Sequence, residues 1–94
     1  MTGAQEPYAM SVRYASHARD RMRERSITPG QVEEALSRPI EVIPTKFGRS
    51  AACAQEPSGK YLVVVFEGSR EDFLVVTALK VDKGRARRYG FTRV

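Results

Sequence analysis

Two runs late in the chain constrain the fold more tightly than any other feature. Lys60-Tyr61-Leu62-Val63-Val64-Val65-Phe66-Glu67 and Asp72 to Val81 (DFLVVTALKV) are rich in β-branched residues and apolar on both faces. That pattern marks central strands, since an edge or half-exposed strand would alternate. Gly68 to Glu71 turns the chain between them. Ahead of them, Ile40 to Phe47 follows a period of two and reads as a first strand, with Pro44 demanding an edge position or a bulge. Gly48-Arg49 is a turn candidate, Ser50 to Gln55 a weak second strand, and Glu56-Pro57-Ser58-Gly59 a stronger turn. The second half of the chain is therefore a meander of strands.

The first half has a different period. Tyr14 to Arg25 carries a narrow apolar stripe of Ala15, Ala18 and Met22 at helical spacing, continued by Ile27. Ser11 or Ser16 begins this helix, and Ser11 leaves room for Tyr14 and His17 inside it; the end falls near Ser26. Then comes the clearest local signal, Ile27-Thr28-Pro29-Gly30-Gln31-Val32. Thr28 fits an N-cap, Pro29 the first helical position and Gln31 the third position of a capping box. Ile27 and Val32 stand where a hydrophobic staple closes. The second helix stops before Pro39, which disfavours helix at Arg38. Helices followed by strands predict an α+β domain: two N-terminal helices packed on one face of a four-stranded antiparallel sheet. Arg87 to Val94 forms either a fifth strand or a tail. The opposite face would be partly open, a place for RNA or a partner chain.

Ninety-four residues suffice for one domain, expected over residues 11–94 behind a flexible leader at 1–10. With 41% hydrophobic and 29% charged residues, the composition is that of an ordinary soluble globule. The longest apolar run, Tyr61 to Phe66, is far short of a membrane span, and no signal peptide is readable. The lone Cys53 permits no internal disulfide, which agrees with a reducing, cytoplasmic setting. Its alanine neighbours suggest a small buried residue. No set of zinc ligands stands at workable spacing, so neither a metal nor another cofactor is expected.

The net charge of +5 is unevenly placed. Residues 80–94 carry Lys80, Lys83, Arg85, Arg87, Arg88 and Arg93 against Asp82, and residues 11–25 carry five arginines against Asp20 and Glu24. Two separated basic segments fit a polyanion, with nucleic acid first and an acidic protein second. In the C-terminal segment, Tyr89 and Phe91 interleave with the cations, which would suit stacking on bases. Lys80, Arg85, Arg87, Arg88 and Tyr89 are the candidate RNA contacts.

On the first helix, His17, Arg21 and Arg25 fall at i, i+4 and i+8, an imidazole followed by two guanidiniums along one edge. A group that titrates near neutrality beside fixed cations suits a phosphate. A solvated basic face with one incidental histidine would look the same. For chemistry on RNA, His17 would transfer a proton while Arg21 and Arg25 hold the phosphate. The second proton-transfer role is open among Tyr61, Tyr89, Lys80 and Glu24. Thr77, on a central strand, could hydrogen-bond phosphate or orient the imidazole.

These residues also carry a family resemblance. Ser16-His17-Ala18-x-x-Arg21-Met22-x-x-Arg25-x-Ile27, then Val32-x-x-Ala35-Leu36-x-x-Pro39, Gly59-x-Tyr61-Leu62-Val63-Val64-Val65 and Val75-Val76-Thr77 span roughly residues 14–81. The chain resembles a small bacterial domain family of unknown function that begins with a His-Ala-x-x-Arg-Met-x-x-Arg helix. That family is grouped with the barnase/EndoU/colicin/RelE-like ribonuclease toxins. The resemblance implies a toxin-like fold and an endoribonuclease that works without a metal, by attack of a ribose 2′-hydroxyl on phosphate. It also implies RNA as partner, with association with the ribosome left open, and a cognate antitoxin or immunity protein. The alternatives are a non-catalytic RNA- or DNA-binding module and a protein that docks an acidic partner.

Overall fold

The computed structural model describes residues 11–94 apart from Arg70. The leader expected at 1–10 lies outside them. Among the described residues, five strands and three α-helices follow one another as β1 (Ser11–Tyr14), α1 (Ala18–Glu24), α2 (Pro29–Ser37), β2 (Glu41–Pro44), β3 (Ser50–Gln55), β4 (Tyr61–Ser69), β5 (Asp72–Val81) and α3 (Lys83–Tyr89). The sheet order is β1-β5-β4-β3-β2. β2 to β5 form the antiparallel meander, and β1 adds to the outside of β5 in parallel.

The architecture is α+β, with corrections at both ends of the chain. Ser11 to Tyr14, which a helix begun at Ser11 would include, is a strand, so the sheet is mixed and the helix starts only after His17, close to the alternative start at Ser16. Its alternating half-burial, with Val12 and Tyr14 packed on the core, is a strand signal too short to outweigh the helical stripe behind it. The basic C-terminal segment, expected as a strand or tail, contains α3. Asp82 caps it by accepting a hydrogen bond from the Arg85 amide at 2.8 Å. Gly90 closes it in the left-handed conformation, with the Phe91 amide donating to the Ala86 carbonyl. The first meander strand is also shorter than expected: β2 ends at Pro44, and Lys46–Gly48 makes a 3-10 turn.

The helical corner is built as its sequence demands. The Thr28 hydroxyl accepts from the Gln31 amide at 3.1 Å, and the Gln31 side chain accepts from the Thr28 amide at 2.9 Å. Such a box is worth about 1 kcal/mol. Ile27 and Val32 are both buried, closing the staple.

Because β4 and β5 are apolar on both faces, the sheet needs cover on both. On one face, Ala18 and Met22 of α1 and Val32, Ala35 and Leu36 of α2 pack on Leu62, Val64, Phe66, Phe73, Val75 and Ala78. On the other, Ala86 and Phe91 pack on Ala51, Cys53, Val63 and Val81. α3 and the residues after it thus cover part of the face expected to be open. The β4–β5 turn depends on Gly68, whose φ is +93°; a Cβ there would collide with the Asp72 carbonyl oxygen.

One irregularity matters for the site. Val65 pairs with Thr77 but Phe66 pairs with Val75, so Val76 is an extra residue in β5. This bulge breaks the alternation. Thr77 therefore lies across from Val65, on the face that α3 covers, instead of following Phe73 and Val75 toward α1.

Candidate functional site

His17 occupies the N-cap position of α1, its side chain exposed and making no capping hydrogen bond. It lies outside the helix and not within it, but the Arg21 amide still donates to the His17 carbonyl at 3.1 Å, so the two residues keep their helical offset. Ala18 and Met22 anchor α1 in the core, which turns the intervening polar positions outward. His17, Asp20, Arg21, Glu24 and Arg25 line one shallow depression of about 330 Å³.

Within it the cations differ. Arg21 is exposed and has no ion-pair partner among the described residues. Arg25 is tied to the sheet: its Nη1 donates to the Ala78 carbonyl at 2.8 Å and to the Thr77 hydroxyl at 3.4 Å. Asp20 pairs with Arg23 at 3.3 Å, both side chains mostly in solvent, an interaction worth under about 1 kcal/mol. Arg19 leaves this edge and lies over the Tyr14 ring, 4.7 Å from its centroid.

The expected catalytic set is thus only partly assembled. His17, Arg21 and Arg25 share a surface, and Thr77 reaches it through Arg25. Tyr61 does not: it packs beside the cluster under α3, on the other side of the sheet from α1. Of the four candidates for a second proton-transfer group, Glu24 is the one that lines the depression with His17. Lys80 is engaged elsewhere, with the Glu56 carboxylate at 3.7 Å and the Ser26 carbonyl at 3.3 Å. Cys53 is fully buried in β3, and burial pushes its thiol up to about 11, so it holds no thiolate for nucleophilic work near neutrality.

A second basic surface lies on the α3 face. Lys46, Phe47, Arg49, Arg85, Arg88 and Tyr89 surround a groove of about 520 Å³ floored by Val65. Three of the five residues named as RNA contacts, Arg85, Arg88 and Tyr89, meet here; Arg87 turns to the Val94 carbonyl instead, at 3.3 Å. The groove's other wall was not foreseen, because Lys46 to Arg49 reads as strand and turn. There Phe47 stands 85% exposed at φ +63°, a conformation that costs a non-glycine residue on the order of 1–3 kcal/mol. Arg49 pairs with Glu67 at 3.0 Å, and its guanidinium carbon stands 5.9 Å from the centre of the Phe47 ring.

What these features define is an α+β domain with a histidine–arginine depression on one side of its sheet and a cationic, aromatic groove on the other. The family model described as "Domain of unknown function (DUF4258)" matches residues 14–82. The chain belongs to that family. No curated protein and no solved structure gives a match. The matched span begins at Tyr14, the last residue of β1, and runs through β5, and α3 lies beyond it.

Proposed function

We propose that this protein is an endoribonuclease of the toxin type, cleaving RNA by transesterification without a metal. The observation that carries the reading is the depression on α1, which collects an imidazole, the Asp20 and Glu24 carboxylates and two guanidiniums around one open surface. Glu24 takes the proton from a ribose 2′-hydroxyl, whose oxygen attacks the adjacent phosphorus. The bond to the 5′-oxygen breaks, and the His17 imidazolium gives that oxygen its proton. Products are a 2′,3′-cyclic phosphate and a 5′-hydroxyl end. His17 and Glu24 flank Arg21, seven positions apart and so on one edge of the helix; at 1.5 Å per residue they stand roughly 10 Å apart. That leaves room for a phosphate on the Arg21 guanidinium between them. Arg21 stabilises the developing charge, while Arg25 divides its donors between β5 and the depression.

A toxin of this kind acts in the cytoplasm and is held in check by a cognate antitoxin or immunity protein, which the two basic surfaces would meet with acidic side chains. The test is incubation of purified protein with total RNA, wild type beside His17→Ala, followed by end-group analysis. Cyclic phosphate ends that disappear in the variant support the reading. Undiminished cleavage by His17→Ala, or intact RNA with both proteins, overturns it. Because His17 is exposed and caps nothing through its side chain, the variant should fold as the wild type does.

A further inference from the structure

We infer that the groove on the α3 face is a binding site for single-stranded RNA, in which the Phe47 ring stacks on an unpaired base while Lys46, Arg85 and Arg88 hold the flanking phosphates. Its location is separate from the α1 depression. The inference shares RNA with the proposed function, but its test reads binding and not cleavage.

Phe47 carries the argument. An aromatic side chain normally buries its ring, yet this one is 85% exposed. Its backbone sits in the left-handed region, followed by Gly48 at φ +71°. That pair of conformations lifts the ring away from the sheet and sets it at the mouth of the groove. Among the described residues the one cation over its ring is Arg49, at the far limit of a useful cation–π approach. The ring therefore offers a π-face that the protein itself leaves unused.

Charge then selects the occupant. Four cations border the groove, and Glu67 engages one of them, Arg49. Lys46, Arg85 and Arg88 have no ion-pair partner among the described residues. Tyr89 adds a second, partly exposed ring on the opposite wall. A strand of nucleic acid supplies both complements at once, phosphates for the cations and base faces for the rings. A duplex supplies only the phosphates, since its bases are already stacked on each other. An acidic peptide likewise satisfies the cations and leaves the rings bare.

The experiment is fluorescence anisotropy with labelled oligouridine and oligoadenosine, on a His17→Ala background so that no cleavage interferes. A hairpin duplex of equal length, heparin and polyglutamate serve as competitors. Phe47→Leu should weaken single-strand binding about tenfold, the loss of one stacked base. Phe47→Tyr should restore it. Arg85→Gln with Arg88→Gln should weaken binding and flatten its salt dependence, which Phe47→Leu leaves unchanged. Equal affinity of wild type and Phe47→Leu would overturn the assignment. Displacement by heparin, duplex or polyglutamate as readily as by single strands would reduce the groove to a charged surface and also overturn it. Retained binding by a protein that cuts nothing would refute the ribonuclease reading alone.

Discussion

Replacing Arg25 with methionine separates two roles that one guanidinium could play. The substitution keeps most of the aliphatic stem and removes the donors that reach the Ala78 carbonyl at 2.8 Å and the Thr77 hydroxyl at 3.4 Å. β1 pairs with β5 over Asp72 to Val75, so among the described residues the outer edge of β5 beyond that point has no strand beside it. Arg25 occupies that edge and fastens α1 to it. A hydrogen bond from a charged donor contributes about 1.5–3 kcal/mol, and an acceptor that water can reach recovers part of the loss. Since Arg25 is exposed, the lower end is expected, about 1–1.5 kcal/mol. In a domain of this size roughly 1 kcal/mol moves the melting temperature by 4–8 °C. Arg25→Met should therefore melt about 5–10 °C below wild type, and Arg25→Lys should recover part of the difference because an ammonium can still donate to one acceptor. Thermal melting followed by circular dichroism reads this directly. A melting temperature within about 1 °C of wild type would refute the edge clamp. If cleavage of RNA collapsed at the same time, the guanidinium would be free for phosphate.

Two further substitutions test the packing around the site. The Tyr14 hydroxyl is buried with no hydrogen-bond partner among the described residues, and burial, followed by the nearby Glu33 carboxylate, raises its pKa. Tyr14→Phe should leave stability unchanged or raise it by up to about 1 kcal/mol in urea unfolding; a loss of that size would mean the hydroxyl has a partner. Glu41 holds the chain after α3, accepting hydrogen bonds from the Arg93 amide, the Thr92 amide and the Thr92 hydroxyl. The Arg93 amide above all keeps its carboxyl below the ordinary 4.5. A folded pKa below the unfolded one means stability that is present above the unfolded value and lost as pH falls through the folded value. The melting gap between wild type and Glu41→Gln should hold steady near neutrality and close below about pH 4.5. A gap that does not change with pH would show that the charge is irrelevant.

What could be read in advance follows the range of the interactions. The α2 cap needs only Thr28, Pro29 and Gln31, and it forms as read. β5 spans Asp72–Val81, because two-sided burial leaves a continuous apolar run that needs no partner to be recognised. β1 and α3 were misread for the opposite reason. Four residues of strand rely on β5 for their hydrogen bonds, and a seven-residue helix that begins Lys83-Gly84 has weak intrinsic propensity. Asp82 and Gly90 were its available signals, one a cap and the other a stop. Between them only Ala86 is buried, too little for a helical stripe to show.

The same distinction of range governs the site. His17, Arg21 and Arg25 could be grouped from spacing because a helix fixes their offsets without help from the rest of the fold. Thr77 could not be placed, since the extra Val76 reverses the face it occupies and nothing local in the VVT run marks the bulge. The groove is less local still. It joins residues 46–49 to residues 85–89, and its exposed ring, Phe47, alternates in sequence as a buried strand residue would. Only the turn at Lys46–Gly48, with two successive left-handed residues, aims the ring outward. An aromatic side chain displayed at such cost, with no packing in return, is the kind of local inconsistency that folding alone does not favour. That is the physical reason to look for its partner outside the chain.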